Sequence, residues 1–149
     1  MSKLSVIIIT KNEEDNIARC LESVKWADEI IILDSGSTDN TVAICKEYTQ
    51  NVYLTDWPGY GPQKNRALAK ATHPWVLSVD ADEEVSNELR KKIKSVIVNP
   101  SCEAYKIKRP VIFLNKLVKH ACGADKTVRL FKRNSAKFSD DIVHETVLV

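Results

Sequence analysis

Residues 4–24, LSVIIITKNEEDNIARCLESV, carry the pattern that decides the fold. LSVIIIT (4–10) is a continuous, mostly β-branched apolar run, the composition of a strand buried on both faces. The period then changes. Ile17, Cys20, Leu21 and Val24 recur at helical spacing, Asn12 is suited to cap, and the acidic residues after it suit the first turn of a helix. The same alternation continues along the chain. EIIILD (29–34) reads as a second strand and 41–48 as a second helix with Val42, Ile44, Cys45 and Tyr48 on its apolar face. NVYLT (51–55) follows as a short strand. PGYGPQKNRALAKAT (58–72) is a glycine-punctuated loop opening into a helix, with Pro62 in its first turn. WVLSVD (75–80) is a fourth strand, and Leu89, Ile93, Val96 and Ile97 mark the helix after it. Four strand–helix repeats with short connections predict an α/β/α sandwich on a largely parallel sheet. After Pro100 the rhythm is lost. EAYKIKRPVIFLN (103–115) and KTVRLFKRN (126–134) read as strands that extend the sheet into a mixed one.

The 149 residues are 44% hydrophobic and 28% charged, an ordinary globular composition with net charge +2. The charge is uneven. Residues 1–102 hold 12 Lys/Arg against 15 Asp/Glu, and residues 103–149 hold 10 against 5. Such a basic end suits an anionic ligand or surface. Aromatic residues are not interleaved with the basic ones, so no nucleic-acid partner is expected. The four cysteines form no CxxC pair, and Cys20 and Cys45 fall on apolar helical faces as core thiols. The apolar stretch in MSKLSVIIIT is too short for a signal peptide or a membrane span, which leads us to expect a cytoplasmic location. His73 and His120 have no context that suggests a site.

Ligands of open α/β sheets bind beyond the carboxyl ends of the strands, and the polar residues gather there. The first strand ends at Thr10, with Asn12 and Glu13 next. The second ends at Asp34, followed by SGSTDNT, where Gly36 permits a tight turn and Ser37 or Thr38 is placed to cap the next helix. Asp34 itself is suited to a base N–H or a ribose hydroxyl. The fourth ends in Asp80-Ala81-Asp82, with Glu83 and Glu84 adding to the negative charge. In extended chain, residues two apart point the same way, so Asp80 and Asp82 are expected to converge on one ligand. A hard cation, Mg²⁺ or Mn²⁺, takes oxygen ligands and binds through one or two carboxylates plus substrate phosphates. Lys64 reads either as a reach toward a diphosphate or as a surface lysine. Arg129 and Arg133 are expected on one face of their strand and Lys132 on the other, with a diphosphate or an anionic acceptor as their target.

SVIIITKNE, IIILDSGSTDNT, KNRALAKAT leading to WVLSVDADE, and RLFKRNSAKFSDDIVHE resemble the inverting family 2 glycosyltransferases of the GT-A fold. The likeness is strongest to bacterial lipopolysaccharide-core glucosyltransferases and runs over nearly the whole chain. It implies a GT-A (Rossmann-like) fold in one domain, 1–149. Residues 1–102 would form the nucleotide-binding half, and 103–149 would open an acceptor half that ends short. It further implies a nucleotide-diphospho-sugar donor such as a UDP-sugar, with Asp34 at the base, Asp80 near the ribose and Asp82 on the metal. Thr10, Asn12, Glu13, Lys64 and Arg129 complete the donor-binding expectation. Asp80 and His144 are added to Asp82 as metal candidates. Inversion by single displacement needs a carboxylate to take the acceptor's proton. SDDIVHE (139–145) offers Asp140, Asp141 and Glu145, with Glu145 preferred and Asp141 second. A saccharide or lipid-linked saccharide acceptor and peripheral contact with the inner membrane follow from the same likeness. Two other readings stand beside it. A sugar nucleotidyltransferase would want a glycine-rich basic loop after the first strand, where TKNEEDN is acidic. A non-catalytic nucleotide-sugar-binding module is the other.

Overall fold

The computed structural model of the chain describes residues 2–108, 111–113, 116–118, 126–140 and 146–149. In chain order the elements are β1 (Leu4–Thr10), α1 (Ile17–Val24), β2 (Glu29–Asp34), α2 (Thr41–Tyr48), β3 (Val52–Leu54), α3 (Tyr60–Lys70), β4 (Trp75–Ser78), α4 (Asn87–Val98), β5 (Ala104–Lys108), β6 (Val111–Phe113), β7 (Lys116–Val118), β8 (Lys126–Lys132), a 3-10 turn at Arg133–Ser135, β9 (Lys137–Phe138) and β10 (Val147–Leu148). Six strands form one sheet in the order β3-β2-β1-β4-β8-β5. The first four are parallel, β8 runs antiparallel to β4, and β5 runs antiparallel to β8. The expected mixed, largely parallel sheet is present, and residues from 103–149 complete it.

Strand alternation sorts the core onto two faces. Leu4, Val6 and Ile8 of β1, Ile30 and Ile32 of β2, and Leu77 of β4 pack with Ile17, Cys20, Leu21 and Val24 of α1, Cys45 of α2, and Ile93 and Ile97 of α4. Ile7, Ile31, Leu33, Val76 and Phe131 face the other way onto Ala67 and Leu68 of α3, Ala71 just after it, and Phe138 of β9. Both faces of β1 are therefore buried, which is why its sequence shows no polar alternation. The chain passes from β1 outward to β2 and β3 on one side, while β4 lies on the other side of β1. The loops leaving β1 and β4 diverge at that point and open a crevice.

Three local expectations are corrected. α1 starts at Ile17 with Asn16 as its N-cap residue, and no acidic residue lies in its first turn. Asn12 is instead the one described non-glycine residue with positive φ, 52°. Neither Ser37 nor Thr38 caps α2. Its N-cap residue is Asn40, and Asp39 Oδ1 accepts from the Thr41 amide at 2.9 Å. Arg133 and Lys132 do not share the rim with Arg129. Because β8 is antiparallel to β4, Lys132 lies opposite Trp75, at the far end of the sheet. There Lys132 meets Glu103 at 3.3 Å, and Arg133 donates to the Ala71 carbonyl at 3.0 Å.

Candidate functional site

Two rim loops, residues 11–16 after β1 and 35–40 after β2, are stitched to each other. The left-handed backbone of Asn12 turns its Oδ1 to the Thr38 amide at 2.8 Å, and its own amide donates to Ser37 Oγ at 2.7 Å. The Glu13 amide donates to Thr41 Oγ1 at 2.8 Å, and the Asn40 amide to Glu14 at 3.0 Å. Asp34 anchors the second loop from within. It is 1% exposed, and its Oδ2 accepts from the amides of Gly36 at 3.0 Å and Ser37 at 2.8 Å. Gly36, at φ 95°, supplies the conformation this turn needs. The carboxylate also bears on the α2 thiol, since burial and then the Asp34 charge push Cys45 up to about 12. A thiol so placed is protonated and inert.

The exit from β4 is built differently. The strand ends at Ser78, and the Glu83 amide donates to the Asp80 carbonyl at 3.0 Å, closing a turn over Asp80–Glu83. The extended geometry expected at Asp80 and Asp82 therefore ends at Ser78, although both carboxylates still line one cleft. A turn breaks the two-residue alternation: Asp80 is half-buried against α3 and β8, Ala81 is buried and Asp82 stands exposed. Asp80 Oδ1 meets Lys64 Nζ of α3 at 3.1 Å, and its Oδ2 meets Arg129 of β8 at 3.3 Å. Arg129 also binds Glu83 at 3.2 Å, and Glu83 in turn accepts from the Asp80 amide at 2.9 Å. Burial alone would raise the Asp80 carboxyl, but the charges of Lys64 and Arg129 overrule it and hold it at about 2. Lys64 is 5% exposed and Arg129 8%. Lys64 is therefore no surface lysine.

These elements enclose a cleft of about 560 Å³ lined by Ile9, Thr10, Lys11, Glu13, Ser35, Trp57, Tyr60, Lys64, Asp80, Ala81 and Asp82. Thr10, Glu13, Lys64, Asp80 and Asp82 are thus brought together. Asn12, Asp34 and Arg129 act from behind the lining. Thr10 Oγ1 is buried and has no hydrogen-bond partner among the described residues. Asp141, His144 and Glu145 lie outside the described residues. Asp140 is exposed. The β9–β10 ribbon that flanks residues 141–145 is fastened to α3 next to Lys64. Asn65 donates to the Phe138 carbonyl at 2.9 Å and accepts from its amide at 2.8 Å.

The family model for glycosyl transferase family 2 matches residues 5–143. The chain belongs to that family. An uncharacterised glycosyltransferase of Rickettsia typhi is 37% identical over 99% of this chain and 53% of its own length. The lipopolysaccharide core biosynthesis glycosyltransferase LpsC of Rhizobium meliloti is 29% identical over 97% of this chain and 57% of its own. The chain spans about half the length of these curated relatives. Among solved structures, the mannosyltransferase PcManGT of Pyrobaculum calidifontis, in complex with GDP-mannose and Mn²⁺, superimposes with TM-score 0.67 at 24% identity, over 94% of this chain and 48% of that one. The fold is GT-A.

In this family 2 domain the donor set at the rim fits a divalent cation of limited protein ligation. No group of three or more His, Cys, Asp or Glu side chains able to hold a metal occurs among the described residues. Asp82 offers an exposed carboxylate to the cleft beside Asp80, and one or two carboxylates with substrate phosphates are what Mg²⁺ or Mn²⁺ takes. Sequence reasoning missed Trp57 and Tyr60, whose rings meet edge to face at 4.8 Å on the cleft wall, each 44% exposed. Two aromatics inside a glycine- and proline-punctuated loop were the available signal. It also missed Glu83 as a partner of Arg129, and Asn65, whose contact is 73 residues away. No helix among the described residues is long and apolar enough to cross a membrane.

Proposed function

We propose that this chain binds the donor in an inverting, metal-dependent glycosyltransferase. The enzyme would move a sugar, glucose by its likeness to lipopolysaccharide-core enzymes, from a UDP-sugar to a saccharide or lipid-linked saccharide. One observation carries the reading. The crevice at the switch point sets a buried cation, Lys64, and an exposed carboxylate, Asp82, on the same 560 Å³ cleft. A nucleoside diphosphate with its divalent counter-ion needs both.

In this reading Asp82 would hold Mg²⁺ or Mn²⁺, which when bound would supply Lewis-acid stabilisation of the leaving diphosphate. Asp80, fixed by Lys64, turns toward the ribose. Thr10 Oγ1 gains the partner it lacks, which removes a cost of about 1–3 kcal/mol for a buried unsatisfied group. Asp34 serves the nucleoside by shaping the Gly36–Ser37 turn that edges the base, and Glu13 flanks it. Glu145, or Asp141 in its place, would take the acceptor's proton, and His144 would be a further candidate to hold the metal. The fastening of β9 to α3 next to Lys64 supports that assignment, since it ties the ribbon flanking these residues to the cleft. A cytoplasmic enzyme at the inner face of the membrane, acting in lipopolysaccharide core assembly, is the setting we infer from LpsC and the basic C-terminal third.

The test is transfer in the full-length enzyme. Extract glycans offered a panel of nucleotide sugars should gain one hexose from a UDP-sugar, as read by mass spectrometry. Glu145→Gln should keep donor affinity and lose ~10²–10⁴-fold in single-turnover transfer. Normal turnover in Glu145→Gln with collapse in Asp141→Asn moves the base to Asp141. Normal turnover in both removes the base from this segment.

A further inference from the structure

Four of the 12 Lys/Arg in residues 1–102 stand together on α4, as Arg90, Lys91, Lys92 and Lys94. The rest of that half holds 8 against 15 Asp/Glu, so the cluster runs against its surroundings. α4 buries Ile93 and Ile97 in the core and leaves Lys91, Lys92 and Lys94 exposed. The exposed Val98 continues the stripe of Lys91 and Lys94 at helical spacing. The acids just before the cluster are already taken. Glu84 meets Arg19 at 3.6 Å, and Glu88 meets Lys92 at 3.0 Å. Arg90, Lys91 and Lys94 pair with no carboxylate among the described residues. Arg90 and Lys94, one turn apart, instead lie against the ring of Trp26, the guanidinium carbon at 5.7 Å and the ammonium nitrogen at 5.5 Å from its centroid. Trp26 is itself fixed, donating from Nε1 to the Ser23 carbonyl at 2.8 Å. Cations held on an aromatic ring are ordered by it while their N–H groups stay available to an anion.

We propose that the outer face of α4, with Trp26 ordering Arg90 and Lys94, docks the enzyme on an anionic lipid bilayer. The choice of a bilayer rests on the glycosyltransferase reading above, in which the acceptor is lipid-linked. Charge complementarity supports it, since head-group phosphates spread in a plane match a stripe of cations that no acid of the protein neutralises. Val98 adds an apolar group to the same stripe. Nucleic acid fits this face poorly, because Arg90 and Lys94 occupy the ring of Trp26 and leave no base a platform. The basic C-terminal third does not supply the equivalent from Arg129, Lys132 and Arg133, which are turned to partners within the protein. The face also lies close to the chemistry. α4 leaves the loop that follows the Asp80–Glu83 turn, and Ser23 Oγ, beside Trp26 in the chain, accepts from the Val85 amide of that loop at 2.9 Å. Each cation near an anionic surface strengthens binding about fivefold. Four give a loose, reversible hold that brings the cleft to a membrane-borne acceptor without anchoring it there.

The experiment sediments the full-length enzyme with phosphatidylcholine vesicles made with and without phosphatidylglycerol. The wild type should prefer the anionic vesicles, and the preference should fade as salt rises. R90Q/K91Q/K94Q should lose roughly 100-fold in affinity for them, about fivefold per charge, with UDP–Mn²⁺ binding unchanged. If uncovering Trp26 unfolds that variant, K91Q/K92Q decides. It leaves Arg90 and Lys94 in place and should lose about 25-fold. K70Q/K137Q makes the same charge change at two exposed lysines of α3 and β9, on the other face of the sheet, and should bind as the wild type does. A wild type without preference for anionic vesicles, a preference that survives in K91Q/K92Q, or an equal loss in K70Q/K137Q overturns the docking face. A wild type that docks through α4 but does not bind UDP overturns the glycosyltransferase reading instead and leaves the face standing.

Discussion

Two strand ends at this rim finish in aspartate, and the protein treats them in opposite ways. Asp34 is satisfied by its own turn, through Gly36 and Ser37, two and three residues away. Asp80 is satisfied by Lys64 and Arg129, 16 and 49 residues away on another helix and another strand. The first arrangement is local and forms wherever the chain forms that turn. The second exists only when α3, β4 and β8 are all docked. A carboxylate closed off by backbone amides shapes a loop, whereas one held by two buried side-chain cations sits in a charge cluster that substitution or ligand can unbalance.

The contrast can be broken experimentally, most sharply at Lys64. Lys64→Met should cost about 3 kcal/mol in urea unfolding, the lower end for stranding a buried charge, because Asp80 keeps Arg129. A loss below 1 kcal/mol would mean that Lys64 adds little to holding the cluster. Asp34→Ala should cost about 2 kcal/mol, since the Gly36 and Ser37 amides lose a charged acceptor. Acid supplies the third test. The Asp80 carboxyl is held at about 2 in the folded protein against an ordinary 3.8, so its contribution is complete above pH 4 and is lost as pH falls toward 2. That limb is worth about 2 kcal/mol and should flatten in Lys64→Met. Equal acid limbs in the two proteins would remove Lys64 from the account. The smallest effect is Ser37→Ala, at about 1 kcal/mol, since its hydroxyl bonds Asp34 and accepts from the exposed Asn12 amide, which water can satisfy instead.

The same distinction separates what was legible in the sequence from what was not. The parallel strands were legible because Val6–Ile8 and Ile30–Leu33 are buried on both faces and show it as unbroken apolar runs. The Asp34 turn was legible in outline, since Gly36 two residues on announces it. The start of α1 was misread because Asn12 looks like a cap in isolation, and only the Thr38 amide across the rim gives it another task. Asp80 and Asp82 were read as strand neighbours because nothing local reveals the turn at Asp80–Glu83. Arg129 was placed at the site, but the β-bulge that carries it was invisible, as it depends on register with β5. Lys132 and Arg133 were grouped with it on strand alternation, although the antiparallel direction of β8 carries them to the opposite end.

The central claim is that Asp82 carries the cation through which this chain holds a nucleoside diphosphate, and calorimetry of UDP with Mn²⁺ on wild type and Asp82→Asn tests it most directly. The wild type should bind UDP only with Mn²⁺ present, and Asp82→Asn should lose at least the ~10–100-fold that follows removal of even an outer partner of a metal, with its fold intact. Unchanged Mn²⁺-dependent affinity for UDP in Asp82→Asn would contradict it.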